Sequence, residues 1–106
     1  MTESEYSQRI EQAFGRIERA LDASDADIDY ETVAGGVLEL ECADGSKIVV
    51  NRQAAAQEIW VAAKSGGYHF TWRDGAWRNT RDGSDLYAVL ARVVFEQSGE
   101  RLALGA

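Results

Sequence analysis

Residues 37–51 read VLELECADGSKIVVN and contain two strand-like runs joined by a turn. Apolar and polar residues alternate over Val37–Cys42 and again after the turn, which is typical of strands with one buried face. Asp44-Gly45 lies between the two runs and is a strong signal for a tight hairpin turn. The stretch therefore predicts two neighbouring antiparallel strands, with Leu38 and Leu40 among the residues that face a core.

Similar strand and turn signals continue on both sides of this hairpin. Gly35-Gly36 precedes it, and further glycine-containing turns follow at 65–67 and 74–75. Residues 52–57 lack a strand pattern and are predicted to form a loop or a single helical turn. The predicted strands are Ile28–Val33, Val37–Cys42, Lys47–Asn51, Glu58–Ala63, Tyr68–Trp72 and Ala76–Asn79.

A helix is predicted on each side of the strands. The first begins at a capping box between Thr2 and Glu5, and the second runs from a Ser84 cap to about Gln97. The apolar stripe of the first helix consists of Tyr6, Ile10, Phe14, Ile17 and Leu21. This order predicts an α+β fold, a two-layer α/β sandwich in which both helices pack on one face of an antiparallel sheet of about six strands. The other face of the sheet is then open to solvent.

Length and charge limit the possible functions. The chain has 106 residues, enough for one domain with its own core, so a single domain over 1–106 is predicted. Its formal net charge is −7, but residues 1–41 hold 11 acids and 3 bases, whereas residues 42–106 hold 7 acids and 8 bases. Nucleic acids and anionic membranes bind to clusters of Lys and Arg, so neither is an expected partner.

Cysteine content and the N-terminal residues predict a location. Cys42 is the one cysteine, so no internal disulfide can form, as is usual in a reducing compartment. The N-terminal residues are polar and acidic, which does not fit a signal or transit peptide. No apolar run approaches the ~20 residues that span a bilayer. We therefore expect a cytoplasmic protein.

Residues 22–31 contain five acids and no base, at positions where acids should reduce stability. Asp22 lies near the end of the predicted first helix, where the partial negative charge makes an acid unfavourable by roughly 0.3–1 kcal/mol. Asp27, Asp29 and Glu31 alternate with apolar residues, so their side chains should share one face of a strand, about 7 Å apart. Mutually repelling acids on one surface suggest that a cation or a basic partner binds there.

The acidic stretch has three interpretations. Charges on an outer strand can improve solubility and prevent edge-to-edge aggregation. Carboxylate oxygens also suit hard cations such as calcium, magnesium, manganese and iron, although the sequence has no EF-hand loop, so such binding should be weak. The third interpretation is a docking face for a basic protein surface, and this is compatible with the second.

Trp60 is the main candidate for a contact with another protein. Because Ile59 and Val61 alternate with it, Trp60 is predicted to lie on the open face of the sheet. There it is either an interaction anchor or a side chain half covered by its neighbours. Asn51 and Gln53 are predicted to form a polar patch beside it.

The remaining reactive residues do not predict catalysis. His69 is predicted to be exposed, either as an ordinary surface residue or as a ligand. Cys42 is predicted to be buried, with no nearby base to activate its thiol as a nucleophile. The sequence contains no recognisable catalytic triad, phosphate-binding loop or zinc spacing, so we do not expect an enzyme.

Four stretches that follow the acidic first helix and strand form a specific combination. They are Gly35–Leu38, Asp44–Gln53, Ile59–Ala62 and Lys64–Phe70. In this combination the chain resembles the bacterial frataxin family, called CyaY, over nearly its entire length. The resemblance implies a sandwich of two helices on one face of an antiparallel sheet, in agreement with the pattern above.

For function, the resemblance implies a non-enzymatic, iron-binding accessory protein of iron–sulfur cluster assembly. Members of the family bind Fe2+ and Fe3+ weakly on an acidic ridge of the first helix and strand, where other divalent cations can bind too. They dock on the cysteine desulfurase, beside the scaffold protein, and modulate its activity. By position, the acidic ridge here consists of Glu18, Asp22, Asp25, Asp27, Asp29 and Glu31. The residues implied in docking are Trp60, Asn51, Gln53, Glu18 and Asp22.

We therefore expect a monomeric, cytoplasmic bacterial frataxin, with iron-induced oligomers left open. The alternative is an acidic protein-interaction module without a physiological metal. The acidic ridge is thinner than is usual in the family, because residues 23–26 contain only one acid, and Arg16 and Arg19 lie close by. Fewer iron ions, or weaker binding, should follow.

Overall fold

Two helices and six strands make up the fold of the computed structural model, which describes residues 1–33 and 35–104. Ala34 and the last two residues of the predicted 1–106 domain lie outside the described residues. The helices are α1 (Glu3–Ala23) and α2 (Leu86–Ser98), and a 3-10 helix covers Ala54–Ala56. The strands are β1 (Ile28–Val33), β2 (Val37–Cys42), β3 (Lys47–Gln53), β4 (Glu58–Ala63), β5 (Gly66–Arg73) and β6 (Ala76–Asn79).

The six strands form one antiparallel sheet in which each strand pairs with the next one in sequence. The prediction that residues 52–57 form a loop or helical turn is wrong for the first two of them, Arg52 and Gln53, which belong to a strand. Arg52 pairs with Ile59 and Gln53 pairs with Glu58, so β3 continues to Gln53. The chain turns only at the 3-10 helix, which ends at Gln57 in a left-handed backbone conformation.

The predicted start of α1 is confirmed. The Glu5 backbone N–H donates to Thr2 Oγ1 at 3.0 Å, and the Thr2 N–H donates to Glu5 Oε1 at 3.3 Å. This capping box satisfies two backbone donors that the first turn leaves unpaired. All members of the predicted apolar stripe are buried, so α1 packs on the sheet through the face that the sequence predicts.

The predicted start of α2 is wrong by one residue, because Asp85 rather than Ser84 caps the helix. The Asp85 carboxylate accepts hydrogen bonds from the backbone N–H groups of Tyr87 and Ala88, at 3.0 and 3.2 Å. The Ser84 hydroxyl instead donates to Asp82 Oδ1, at 2.6 Å. Both side chains could accept hydrogen bonds from the free N–H groups at this helix end, and the carboxylate is the stronger acceptor. Gly99 ends the helix in the left-handed conformation, as its position predicts.

One hydrophobic core lies between the helices and the sheet, and it confirms the predicted fold class. It combines the apolar faces of α1 and α2 with alternate residues of the strands, such as Leu38, Leu40, Ile59 and Val61. Leu102 and Leu104 follow α2 and are also buried, so the C-terminal tail packs back on the body. Among the described helices, none is long and apolar enough to cross a membrane.

Candidate functional site

Four acids on β1 and β2 lie opposite one another on the sheet face that points away from the helices. Asp29 is paired with Glu41, and Glu31 is paired with Glu39. Directly opposite residues in an antiparallel pair have Cβ atoms about 4.5–5.5 Å apart, and like charges at that distance are destabilising. We call Asp29, Glu31, Glu39 and Glu41 the acidic sheet patch. Its strand positions follow from the alternation that buries Leu38 and Leu40 on the opposite face.

The acidic sheet patch is only partly neutralised by its surroundings. Lys47 lies across from Glu41, and its Nζ is 3.4 Å from Glu39 Oε1. Within residues 1–33 and 35–104, no basic side chain forms a salt bridge with Asp29 or Glu31. The four acids and Lys47 line a shallow depression of about 180 Å³. The depression is large enough for a hydrated cation and is surrounded by carboxylate oxygens, which hard cations prefer.

Two further members of the predicted acidic ridge lie on α1 and contact the other face of β1. The Tyr30 hydroxyl donates to Asp22 Oδ1 at 2.5 Å, and the Thr32 hydroxyl donates to Glu18 Oε1 at 3.4 Å. The hydrogen bond to Asp22 raises the pKa of Tyr30, because it stabilises the protonated phenol. Asp22 and Glu18 therefore have part of their acceptor capacity already occupied by neutral donors.

The last two members of the acidic ridge lie in the connection between α1 and β1. Asp25 and Asp27 are exposed, and the Asp27 backbone N–H donates to Glu100 Oε2 at 3.2 Å. Glu100 comes from the end of the chain and adds another carboxylate here, which the sequence did not predict. The position of Glu100 beside Asp27 depends on how the C-terminal tail packs on the body, and no local sequence pattern predicts this packing.

The predicted acidic ridge thus divides around the edge strand β1 rather than forming one row. Glu18 and Asp22 lie on the helix side, Asp29 and Glu31 lie on the open side, and the two connecting acids lie at one end. Among the described residues, none of the six predicted ligands forms a salt bridge. In the same part of the chain, no group of three or more His, Cys, Asp or Glu side chains has the geometry of a metal site. The surface is therefore suited to loose attraction of cations rather than to chelation.

Trp60 lies in a row of side chains that crosses three strands. Asn51 on β3 is directly opposite Trp60 on β4, which is opposite His69 on β5. The indole and imidazole rings are stacked, with centroids 4.4 Å apart and planes 8° from parallel. Gln53 pairs with Glu58 in the next row on the same sheet face, so Gln53 lies beside the pair of Asn51 and Trp60.

The Trp60 side chain is partly buried, because its neighbours on the sheet cover part of it. Its Nε1–H donates to Glu58 Oε1 at 2.7 Å, and His69 Nδ1 lies 3.9 Å from the same oxygen. The sequence predicted that Trp60 and His69 are exposed, but it did not predict that they contact each other or Glu58. Such contacts restrict the indole to one orientation, which reduces the entropy lost if a partner binds it.

Cys42 is buried, as predicted, with 4% of its surface exposed. It faces the core together with Leu40. The structure therefore gives Cys42 a packing role.

Known proteins similar to this chain match nearly all of it. The frataxin-like domain family matches residues 1–100. The iron–sulfur cluster assembly protein CyaY of Dechloromonas aromatica is 51% identical over 104 residues, which cover 98% of this chain and 99% of the relative. The protein of the same name from Paraburkholderia phymatum is 53% identical over 100 residues, which cover 94% of each chain.

Two solved structures share the architecture. Frataxin from Psychromonas ingrahamii, a CyaY protein, has a TM-score of 0.92 at 30% identity and is matched over 100% of both chains. Trimeric yeast frataxin from Saccharomyces cerevisiae, complexed with ferrous iron, has a TM-score of 0.62 at 25% identity, over 92% of this chain and 86% of that one. The family consists of accessory proteins of iron–sulfur cluster assembly rather than enzymes. The resemblance seen in the sequence is therefore confirmed, and the chain belongs to the frataxin family of iron–sulfur cluster assembly proteins.

Proposed function

We propose that this protein binds iron weakly on its acidic ridge and acidic sheet patch, and docks on the cysteine desulfurase of a bacterial cytoplasm. Fe2+ and Fe3+ are the ions concerned, and other divalent cations compete for the same carboxylates. The observation that carries the proposal is the direct pairing of like charges, Asp29 with Glu41 and Glu31 with Glu39. Such pairs oppose folding, and a bound cation or a basic surface removes the repulsion.

Iron binding is supported by the chemistry of the donors and by a relative. Carboxylate oxygens suit iron and other hard cations, and one solved frataxin was complexed with ferrous iron. The affinity should be low, because ligands on opposite sides of β1 cannot close around one ion. The iron-free chain would be a monomer, and an oligomer would form only at high iron; the yeast frataxin complexed with ferrous iron is a trimer.

Docking is supported by the arrangement of the open sheet face. The row of Asn51, Trp60 and His69 on β3–β5 lies on the same sheet face as the acidic sheet patch, one step along the strands. On β2, Val37 lies opposite Asn51, and Glu39 is the next residue on this face. An aromatic side chain beside a one-signed charged patch is typical of a binding hot spot with electrostatic steering. The partner surface should be basic next to a pocket for the indole, and the scaffold protein would lie alongside.

A second function is an acidic interaction module without a physiological metal. It is favoured by the contacts that already use some of the acids, namely Lys47 with Glu39, Tyr30 with Asp22, and Thr32 with Glu18. In this case the same surface would dock on the desulfurase, but iron would change neither the affinity nor the effect on sulfide release.

A desulfurase binding and activity assay separates these two functions. Purified cysteine desulfurase, with and without the scaffold protein, would be titrated with this protein at several ferrous iron and salt concentrations under anaerobic conditions. We expect binding that weakens as salt rises, because exposed charges are screened over about 10 Å at 0.1 M ionic strength. Added iron should change the affinity or the effect on sulfide release. Binding that is identical at every iron concentration would support the metal-free module, and no binding would reject the docking proposal.

A further inference from the structure

A groove of about 540 Å³ lies on the side of the molecule formed by α1, the β5–β6 hairpin and the start of α2. It is separate from the acidic sheet patch and from the row that contains Trp60. Its α1 wall carries Arg9, Gln12, Arg16 and Arg19, at helical intervals of three and four that place them on one face. Trp72 and Tyr87 contribute the facing aromatic wall. We call this the arginine groove.

The charge of the arginine groove is opposite to that of the rest of the N-terminal half. Residues 1–41 contain only three bases, and all three are the arginines of this groove. Within the described part of the chain, none of the three forms a salt bridge. One acid, Asp85, also lines the groove, but both of its close hydrogen bonds go to the backbone at the start of α2. Three guanidinium groups without a salt bridge to a described carboxylate therefore line one groove in a protein of net charge −7.

The guanidinium groups are held in place by neutral neighbours. Arg9 lies over the Trp72 ring, 4.2 Å from its centroid, and Arg16 lies over the Tyr87 ring at 3.9 Å. The Arg16 Nε–H also donates to the Leu104 carbonyl oxygen at 2.6 Å. Stacking occupies the flat face of a guanidinium but leaves most of its in-plane N–H donors free. These donors are the ones that pair with a carboxylate in a bidentate geometry.

Arg19 is positioned by a gap in the helix surface. A Cβ atom added to Gly15 would lie 3.1 Å from Arg19 Nη1, so the glycine lets the guanidinium fold back against α1. Glycine within a helix costs up to about 1 kcal/mol relative to alanine. The sequence alone gives no reason for a glycine at this position, whereas close contact with Arg19 supplies one.

The spacing of the arginines identifies the kind of ligand. With a rise of 1.5 Å per residue, Arg9 and Arg19 are separated by about 15 Å along α1. A single phosphate or carboxylate cannot contact groups so far apart, but an extended peptide covers that length with about four or five residues. Arg9 already covers one face of Trp72, which disfavours stacking by a nucleotide base.

We propose that the arginine groove is a docking site for an extended acidic segment of a partner protein, whose carboxylates pair with Arg9, Arg16 and Arg19. The apolar parts of the segment would contact the ring edges of Trp72 and Tyr87, because the Arg9 and Arg16 guanidinium groups cover one face of each ring. This site is independent of the iron and desulfurase proposal, because it uses a different surface and the opposite charge. One small domain can in this way bind a basic partner and an acidic partner at the same time.

The test uses the full chain, labelled with 15N, and a blocked hexaglutamate peptide as the probe. In NMR titrations at low salt, we expect shift changes at residues 9–19 and at the indole N–H signals of Trp72 and Trp77. Hexaglutamine should give none of these changes, and inorganic triphosphate should bind more weakly than hexaglutamate. Shift changes located elsewhere, the absence of any change, or tighter binding of triphosphate would each overturn the proposal.

Matched variants distinguish the groove from the net charge. The double variant Arg9→Gln with Arg19→Gln should weaken hexaglutamate binding by about tenfold or more, because hydrogen bonds to charged groups are lost. The control Arg92→Gln with Arg101→Gln removes the same charge from exposed sites outside the groove and should bind as the parent protein does. Equal weakening in both double variants would overturn the proposal. If the first double variant does not fold, Arg19→Gln alone serves the same comparison, since Arg19 is exposed.

Discussion

Replacing Trp77 with alanine is expected to destabilise the protein by about 3–5 kcal/mol, a large part of the ~5–15 kcal/mol available to a domain of this size. Trp77 on β6 is 2% exposed and makes edge-to-face contacts with Tyr6 of α1 and Trp72 of β5, at centroid distances of 6.2 and 5.6 Å. Its removal would leave a cavity at the point where α1 meets the sheet. Urea unfolding monitored by circular dichroism measures the change in the free energy of unfolding.

The chain offers a matched control for this experiment in Trp60. The same substitution there removes a partly buried ring on the open sheet face, and the cost should be about 1 kcal/mol. If Trp60→Ala lowered the free energy of unfolding as much as Trp77→Ala, the two-layer arrangement would be contradicted, because both rings would then support the core.

Replacing Trp60 with alanine is expected to weaken binding to the cysteine desulfurase by at least about thirtyfold, which corresponds to a hot-spot contribution of ~2 kcal/mol. The physical reason is that the indole is presented in one orientation, stacked on His69 and hydrogen-bonded to Glu58. Isothermal titration calorimetry with the purified desulfurase measures the change. This prediction rests on the proposed function.

Phe95 provides the control for the binding experiment. It is an exposed aromatic residue, 44% accessible, on α2 and therefore on the opposite layer. Phe95→Ala should leave desulfurase binding unchanged. If Trp60→Ala binds as tightly as the parent protein, or if both variants weaken binding equally, the open sheet face is not the docking surface.

Most of the fold could be predicted from short-range patterns. The alternation in Val37–Cys42 and the Asp44-Gly45 turn determined strands and connections, because each pattern depends only on neighbouring residues. The errors lie where two local signals compete. At the start of α2, Ser84 and Asp85 are both good caps, and only the folded geometry shows which one accepts the helix N–H groups. At the end of β3, pairing with β4 extends the strand beyond what its own residues indicate.

The candidate site was less predictable than the fold because it depends on contacts between distant residues. The acids of β1 were evident, but their pairing with Glu39 and Glu41 depends on the register between two strands. The sequence also could not show that Tyr30 donates to Asp22, or that β1 divides the acidic ridge between its two faces. The arginine groove was missed entirely. Its signal was the spacing of Arg9, Arg16 and Arg19, which predicts one helix face but not the aromatic wall opposite.

Thermal unfolding with and without divalent cations measures the repulsion between the paired acids of β1 and β2. We claim that Asp29 and Glu31 repel the acids opposite them until a cation binds. The variants are Asp29→Asn with Glu31→Gln and, as a control of equal charge, Glu11→Gln with Glu96→Gln on the helices. Without cations, the free energy of unfolding of the first double variant should be about 1 kcal/mol higher than that of the parent protein, because the repulsion is removed. This corresponds to a rise of roughly 4–8 °C in Tm.

Millimolar Ca2+, or Fe2+ under anaerobic conditions, should then raise the Tm of the parent protein, because a ligand that binds only the folded state stabilises it. The rise should be at least halved in Asp29→Asn with Glu31→Gln and fully retained in the control variant. A cation-induced rise of the same size in all three proteins, or no rise in the parent protein, would contradict the claim.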